Sequence, residues 1–93
     1  MDTQKSSLTA DSNALKALHL QKVVVGAKQL RKALNKGTAR QVYLARNADP
    51  ALTESLEALC QHYGVAYVWV RSMADLGRAC GIEVGAATAT VVD

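Results

Sequence analysis

The sequence predicts a three-layer α/β/α sandwich built on a four-stranded sheet, and three observations carry that expectation. Apolar β-branched bursts alternate with stretches of helical periodicity. The bursts are continuous rather than alternating, as in strands covered on both faces. Glycines stand at the boundaries, at Gly26, Gly37, Gly64 and Gly81. With 93 residues, 49% of them hydrophobic, the chain fits one domain. Tyr43, Tyr63, Tyr67 and Trp69 are its four aromatics, so the core must come from Ala, Val and Leu.

The elements follow in order. Residues 1–12, MDTQKSSLTADS, are polar and aperiodic and are expected to be mobile, leaving one domain over residues 13–93. Ser12 or Asp11 can cap a helix over Asn13–Leu20 with Leu15 and Leu18 inward. KVVVG, residues 22–26, reads as a buried strand ended by glycine, and GAKQLRKALNKG as the next helix with Gly37 as its C-cap. RQVYLAR, residues 40–46, is the second strand, and NADP makes a turn with Pro50 at the start of a helix over Ala51–Tyr63. VAYVWV, residues 65–70, is the third strand. Ser72 is an N-cap candidate for a helix over Met73–Cys80 closed by Gly81, and AATATVV, residues 86–92, is the last strand.

The net charge is +3, and its distribution says more than its size. From Ser12 to Ala48 there is no acid, while Lys16, Lys22, Lys28, Arg31, Lys32, Lys36, Arg40 and Arg46 supply eight positive charges. Residues 49–93 carry six acids against Arg71 and Arg78. On a helical wheel Ala27, Leu30, Ala33 and Leu34 fill an arc of about 120° and the cations Lys28, Arg31, Lys32 and Lys36 an arc of about 140° opposite. An ordinary solvated face is one reading. Like charges four apart repel, however, and cations in the first turn oppose the helix dipole, so the pattern favours an anionic partner approached through Gly26. Nucleic acid is the obvious polyanion. No helix-turn-helix, zinc finger or paired stacking aromatics of an RNA recognition motif is present.

The loop Gly81–Gly85, GIEVG, is apolar between two glycines. Either Ile82 and Val84 plug the core, or they form a hydrophobic tip that packs on something flat such as an unstacked base.

Enzyme readings find little support. His19 and His62 lie far apart, Cys60 and His62 face different ways on one helix, and there is no phosphate loop or metal signature. Neither catalytic residues nor a cofactor or metal are expected. Cys60 and Cys80 have no knuckle or redox spacing and read as reduced, packed thiols. No apolar run approaches the ~18 to 20 residues of a membrane span, and no signal peptide is evident, so a cytoplasmic protein is expected.

Three motifs together resemble a known family: G-x-K-Q at Gly26, A-x-x-A-D-P from Ala45 to Pro50, and L-G-x-A-C-G-I-E-V-G-A-A from Leu76 to Ala87. Over about Val23–Val92 the chain resembles the kink-turn-binding ribosomal protein L7Ae/L30e superfamily, most nearly its bacterial YbxF-like branch. The resemblance implies an α/β/α sandwich with a mixed sheet. It also implies binding to RNA bent by a three-nucleotide bulge beside tandem sheared G·A pairs, in ribosomal or regulatory RNA. Matched to this sequence, Gly26, Lys28, Gln29 and Lys32 would face the widened major groove, and Ile82, Glu83, Val84 and Gly85 would meet the bulge. Arg31 and Lys36 would add general attraction, and Arg40 and Arg46 complete the candidate RNA-binding set. A monomer, with the ribosome as a possible partner, is the expected state. Two departures stand out: Lys28-Gln29 replaces the Asn-Glu of archaeal and eukaryotic members, and Asp75 stands where a basic residue is expected, with Arg71 nearby to compensate. A protein-protein adaptor that docks through Ile82 and Val84 is the alternative function.

Overall fold

The computed structural model describes Leu15 and residues 18–93. The expected mobile segment and four of the eight residues of the first expected helix lie outside the described residues. What is seen of that helix is Leu15, in helical conformation, and a 3-10 turn at Leu18–Leu20 that buries Leu18 completely.

From there the chain runs β1 (Val23–Val25), α1 (Ala27–Lys36), β2 (Ala39–Ala45), α2 (Pro50–Tyr63), β3 (Tyr67–Val70), α3 (Met73–Ala79) and β4 (Thr88–Val92). The four strands form one mixed sheet in the order β1-β4-β2-β3. β4 is antiparallel to both its neighbours and β2 is parallel to β3. The parallel pair needs a crossover, which α2 supplies.

The continuous apolar run of β2 is explained by its two faces. Val42 and Leu44 point into a cluster with Leu30, Leu34, Leu56 and Cys60, beneath α1 and α2. Tyr43 and Ala45 point the other way, into a cluster with Leu18, Val70, Leu76, Ala89 and Val91 beneath α3 and the 3-10 turn. Each fully buried leucine contributes roughly 2 kcal/mol by leaving water, so both layers are needed to hold a sheet this small. The expected three-layer sandwich is therefore present.

Most elements are a little shorter than their apolar runs, for local reasons. Gly64 at φ 70° closes α2, and the Val65 amide is spent on the Cys60 carbonyl at 2.9 Å, so β3 starts only at Tyr67. Ala86 donates to the Met73 carbonyl at 3.0 Å, which ties it to α3 and delays β4 to Thr88. A register shift between Ala39 and Gln41 leaves Arg40 as the extra residue of a bulge at the start of β2.

Candidate nucleic-acid interface

β1 runs into α1 through Gly26, whose φ of 106° is open to glycine and costly for any residue with a Cβ. The Gly26 amide donates to the Thr88 carbonyl at 3.0 Å and its own carbonyl accepts from Leu30 at 3.1 Å. No side chain caps the helix. The first-turn amides of Ala27, Lys28 and Gln29 therefore point outward, at the positive end of the helix dipole. Leu30, Ala33 and Leu34 are buried, while Lys28, Gln29, Arg31, Lys32 and Lys36 are exposed. Among the described residues the ion pairs are Arg40–Asp93, Arg71–Asp75 and Arg78–Asp75, so none neutralises α1.

The loop between α3 and β4 is pinned against α3. Ile82 donates to the Gly77 carbonyl at 3.1 Å, and a Cβ on Gly77 would overlap the Val84 carbonyl oxygen. At Gly85 a Cβ would come within 3.1 Å of Met73 Cβ. The two glycines thus let the loop lie flat on the helix. Its two apolar residues divide: Ile82 is half-buried and packs on the α3-side core, while Val84 is held outward, 70% exposed. A core role is met by Ile82 alone, and Val84 remains as the projecting tip, flanked by exposed Glu83 and Gly85.

These two features share one end of the sheet. Thr88, which accepts from Gly26, follows Gly85 by three residues, and Val25, the last residue of β1, pairs with Ala89 of β4. Arg46 belongs to the same end, because the amide of the preceding Ala45 donates to Ala87 at 2.9 Å. Its guanidinium lies 5.6 Å from the centroid of the Trp69 ring. Arg71 leaves β3 nearby, and the Arg46 amide donates to the Val70 carbonyl at 2.8 Å. Asp75 takes both Arg71 at 3.0 Å and Arg78 at 3.1 Å, and its hydrogen bond with Arg71 is the main reason its carboxyl is held below the usual range. The unexpected acid is thus outnumbered by its own arginines.

Lys36 and Arg40 are not part of this grouping. Lys36 closes α1 at the opposite end of the sheet, and bulged Arg40 donates to Asp93 at 2.8 Å, which raises its pKa. Asn47 lies outside the expected set, yet its Oδ1 accepts from the Met73 amide at 2.8 Å and anchors the start of α3. Lys22 is likewise outside the expected set, although it belongs to the acid-free stretch.

Both cysteines are unpaired, Cys60 buried and Cys80 half-buried, in line with packed thiols. Burial pushes the Cys60 thiol up to about 11, with a smaller contribution from Glu57, and raises Cys80 as well. Neither is a ready thiolate. Among the described residues no three of His, Cys, Asp and Glu converge as a metal site.

The fold and the geometry define an α/β/α-sandwich module that presents a basic, uncapped helix terminus and a glycine-pinned loop tip at one end of its sheet. The chain belongs to the ribosomal protein L7Ae/L30e/S12e/Gadd45 family, whose model matches residues 9–93. It is 44% identical over 77 residues to an RNA-binding protein of Bacillus pumilus, covering 83% of this chain and 94% of that one. Over the same length and shares it is 39% identical to the RNA-binding protein YbxF of Geobacillus stearothermophilus. Among solved structures, the Giardia lamblia 15.5kD RNA binding protein superposes with a TM-score of 0.80 at 30% identity, covering all of this chain and 84% of that one.

Proposed function

We propose that this protein is a non-enzymatic RNA-binding protein that recognises kink-turns and holds them in the bent form. The observation that carries the reading is the uncapped, acid-free start of α1 beside the outward-held Val84. Relatives named as RNA-binding proteins support the class of ligand. The groove-facing set supports the kink-turn. Lys28 can donate to guanine O6 and N7, the Gln29 amide can donate and accept at a purine edge, and Lys32 lies one turn further on, at phosphate reach. An ordinary A-form major groove is too narrow for this, so only RNA widened by sheared G·A pairs admits the helix. The protein then favours the kinked conformer by binding it better than the extended one. Val84 offers an apolar surface to a base expelled from the bulge.

The edge strands, β1 with three residues and β3 with four, are short, which supports a monomer. Action in the cytoplasm, on ribosomal or regulatory RNA, completes the proposal.

Titration with a kink-turn RNA, and with the same RNA whose tandem G·A pairs are replaced by Watson-Crick pairs, tests it. Much tighter binding of the first is expected; equal affinity overturns the reading. Exposed Val84 also suits a protein adaptor. That alternative wins if Lys28→Ala with Lys32→Ala leaves cellular RNA association intact while Val84→Asp abolishes it.

A further inference from the structure

α1 has a second exposed flank. Gln29, Lys32 and Lys36 line one wall of a shallow open groove, Lys22 lies across it, and Val24 and Val92 contribute its apolar surface. Lys22, Lys32 and Lys36 are all exposed. One carboxylate borders the groove, that of Asp93, and it is held by Arg40 at 2.8 Å. Among the described residues the three ammonium groups therefore have no acid of their own. Lys32 and Lys36 already repel at their spacing of four, and the fold brings Lys22 from β1's side to add a third like charge. Such a grouping costs stability unless an anion occupies it.

The length of the groove narrows the choice of anion. From Gln29 to Lys36 the axis of α1 rises by about 10 Å, at 1.5 Å per residue. One strand of B-form DNA advances by roughly 3.4 Å per phosphate and an A-form RNA strand by a somewhat shorter step, so this span covers at least about three phosphates. The groove is open rather than enclosed and follows the helix away from its N-terminus, which fits a polymer backbone better than a small ligand. We propose that it carries the phosphodiester backbone of one strand bordering the major groove that α1 enters, with Lys22, Lys32 and Lys36 each meeting one phosphate. The proposal rests on the RNA reading above, and it adds Lys22 and the far end of α1 to the footprint.

The test is the salt dependence of binding by the Lys22→Gln, Lys36→Gln double variant, both sites being exposed. Kink-turn RNA, its Watson-Crick control and free adenosine monophosphate are the three probes. The slope of log affinity against log salt is expected to fall by about 2, since each lost phosphate contact removes roughly 0.9. Discrimination between the two RNAs should be unchanged, because the base-edge residues are untouched. An unaltered slope with discrimination intact overturns the groove proposal and leaves kink-turn recognition standing. Loss of discrimination already in the unmodified protein fails the kink-turn reading instead, and a slope change of about 2 on both RNAs would still place a backbone in the groove. Saturable binding of the mononucleotide, lost in the variant, while the RNA slope stays fixed, overturns the proposal in favour of a small-ligand site.

Discussion

Among the described residues, α1, α2 and α3 begin in different ways. At α2, Asp49 Oδ1 accepts from the Ala51 amide at 3.0 Å and Pro50 occupies the first helical position. At α3, Ser72 Oγ accepts from the Asp75 amide at 3.1 Å, and Asp75 places an acid in the first turn. At α1 there is a glycine, no capping side chain, no acid in the first turn, and Lys28 where the dipole disfavours it. A cap contributes about 1 kcal/mol and a well-placed first-turn acid about 0.3 to 1 kcal/mol. The chain caps both structural helices and adds a first-turn acid at α3, and it uses neither device at α1. A helix end that its own chain leaves unsatisfied is one that another molecule can satisfy, and its charge names the kind of molecule.

If that contrast is correct, improving α1 as a helix should spoil it as a site. Lys28→Glu is expected to lower kink-turn RNA affinity by roughly a hundredfold, within the range of a lost base-edge contact. The same change should raise the melting temperature by a few degrees, by serving the dipole and relieving repulsion from Lys32. Calorimetry and RNA titration on one sample check both signs, and a drop in both quantities would break the comparison.

Gly77→Ala tests whether the loop is as necessary as the helix end. The new Cβ meets the Val84 carbonyl, so the loop must lift from α3. A loss of roughly 1 to 3 kcal/mol in chemical denaturation is expected, as for other overpacked sites. RNA affinity should fall with it, and Gly77→Ser should behave alike.

At the capped helices the reverse pattern is expected. Ser72→Ala should cost about 1 kcal/mol of stability with kink-turn affinity unchanged, measured by urea denaturation and titration. The smallest effect concerns Asp75. Its folded pKa is depressed, first by the hydrogen bond from Arg71, so its contribution is complete above the ordinary carboxylate range of about 4. That contribution is lost as pH falls through the depressed value. Asp75→Asn should flatten the acid limb of melting temperature against pH and leave RNA affinity at pH 7 unaltered.

Much of this contrast was legible in the sequence, because it depends on local chemistry. Gly26, Gly37 and Gly64 mark turns that need positive φ, and Ser72 marks a cap whatever surrounds it. The β2 run shows that two faces are covered, since only a doubly buried strand has apolar residues at successive positions. What was not legible depends on which way a side chain faces or on a distant partner. Ile82 and Val84 sit in the same apolar loop, and nothing in their letters says that one packs inward while the other projects. The match of Arg40 to Asp93 spans 53 positions and follows from a bulge that no spacing announces. Lys22 becomes part of a groove only when β1 lies beside α1.

In the proposed kink-turn complex the first turn of α1 reads the sheared G·A pairs. A double-mutant cycle between Gln29→Ala in the protein and Watson-Crick replacement of the G·A pairs in the RNA measures it most directly. A coupling of roughly 1 to 3 kcal/mol is expected, the scale of a specific base-edge contact, with the Gln29 change costing little once the G·A pairs are gone. Strict additivity of the two changes would contradict it.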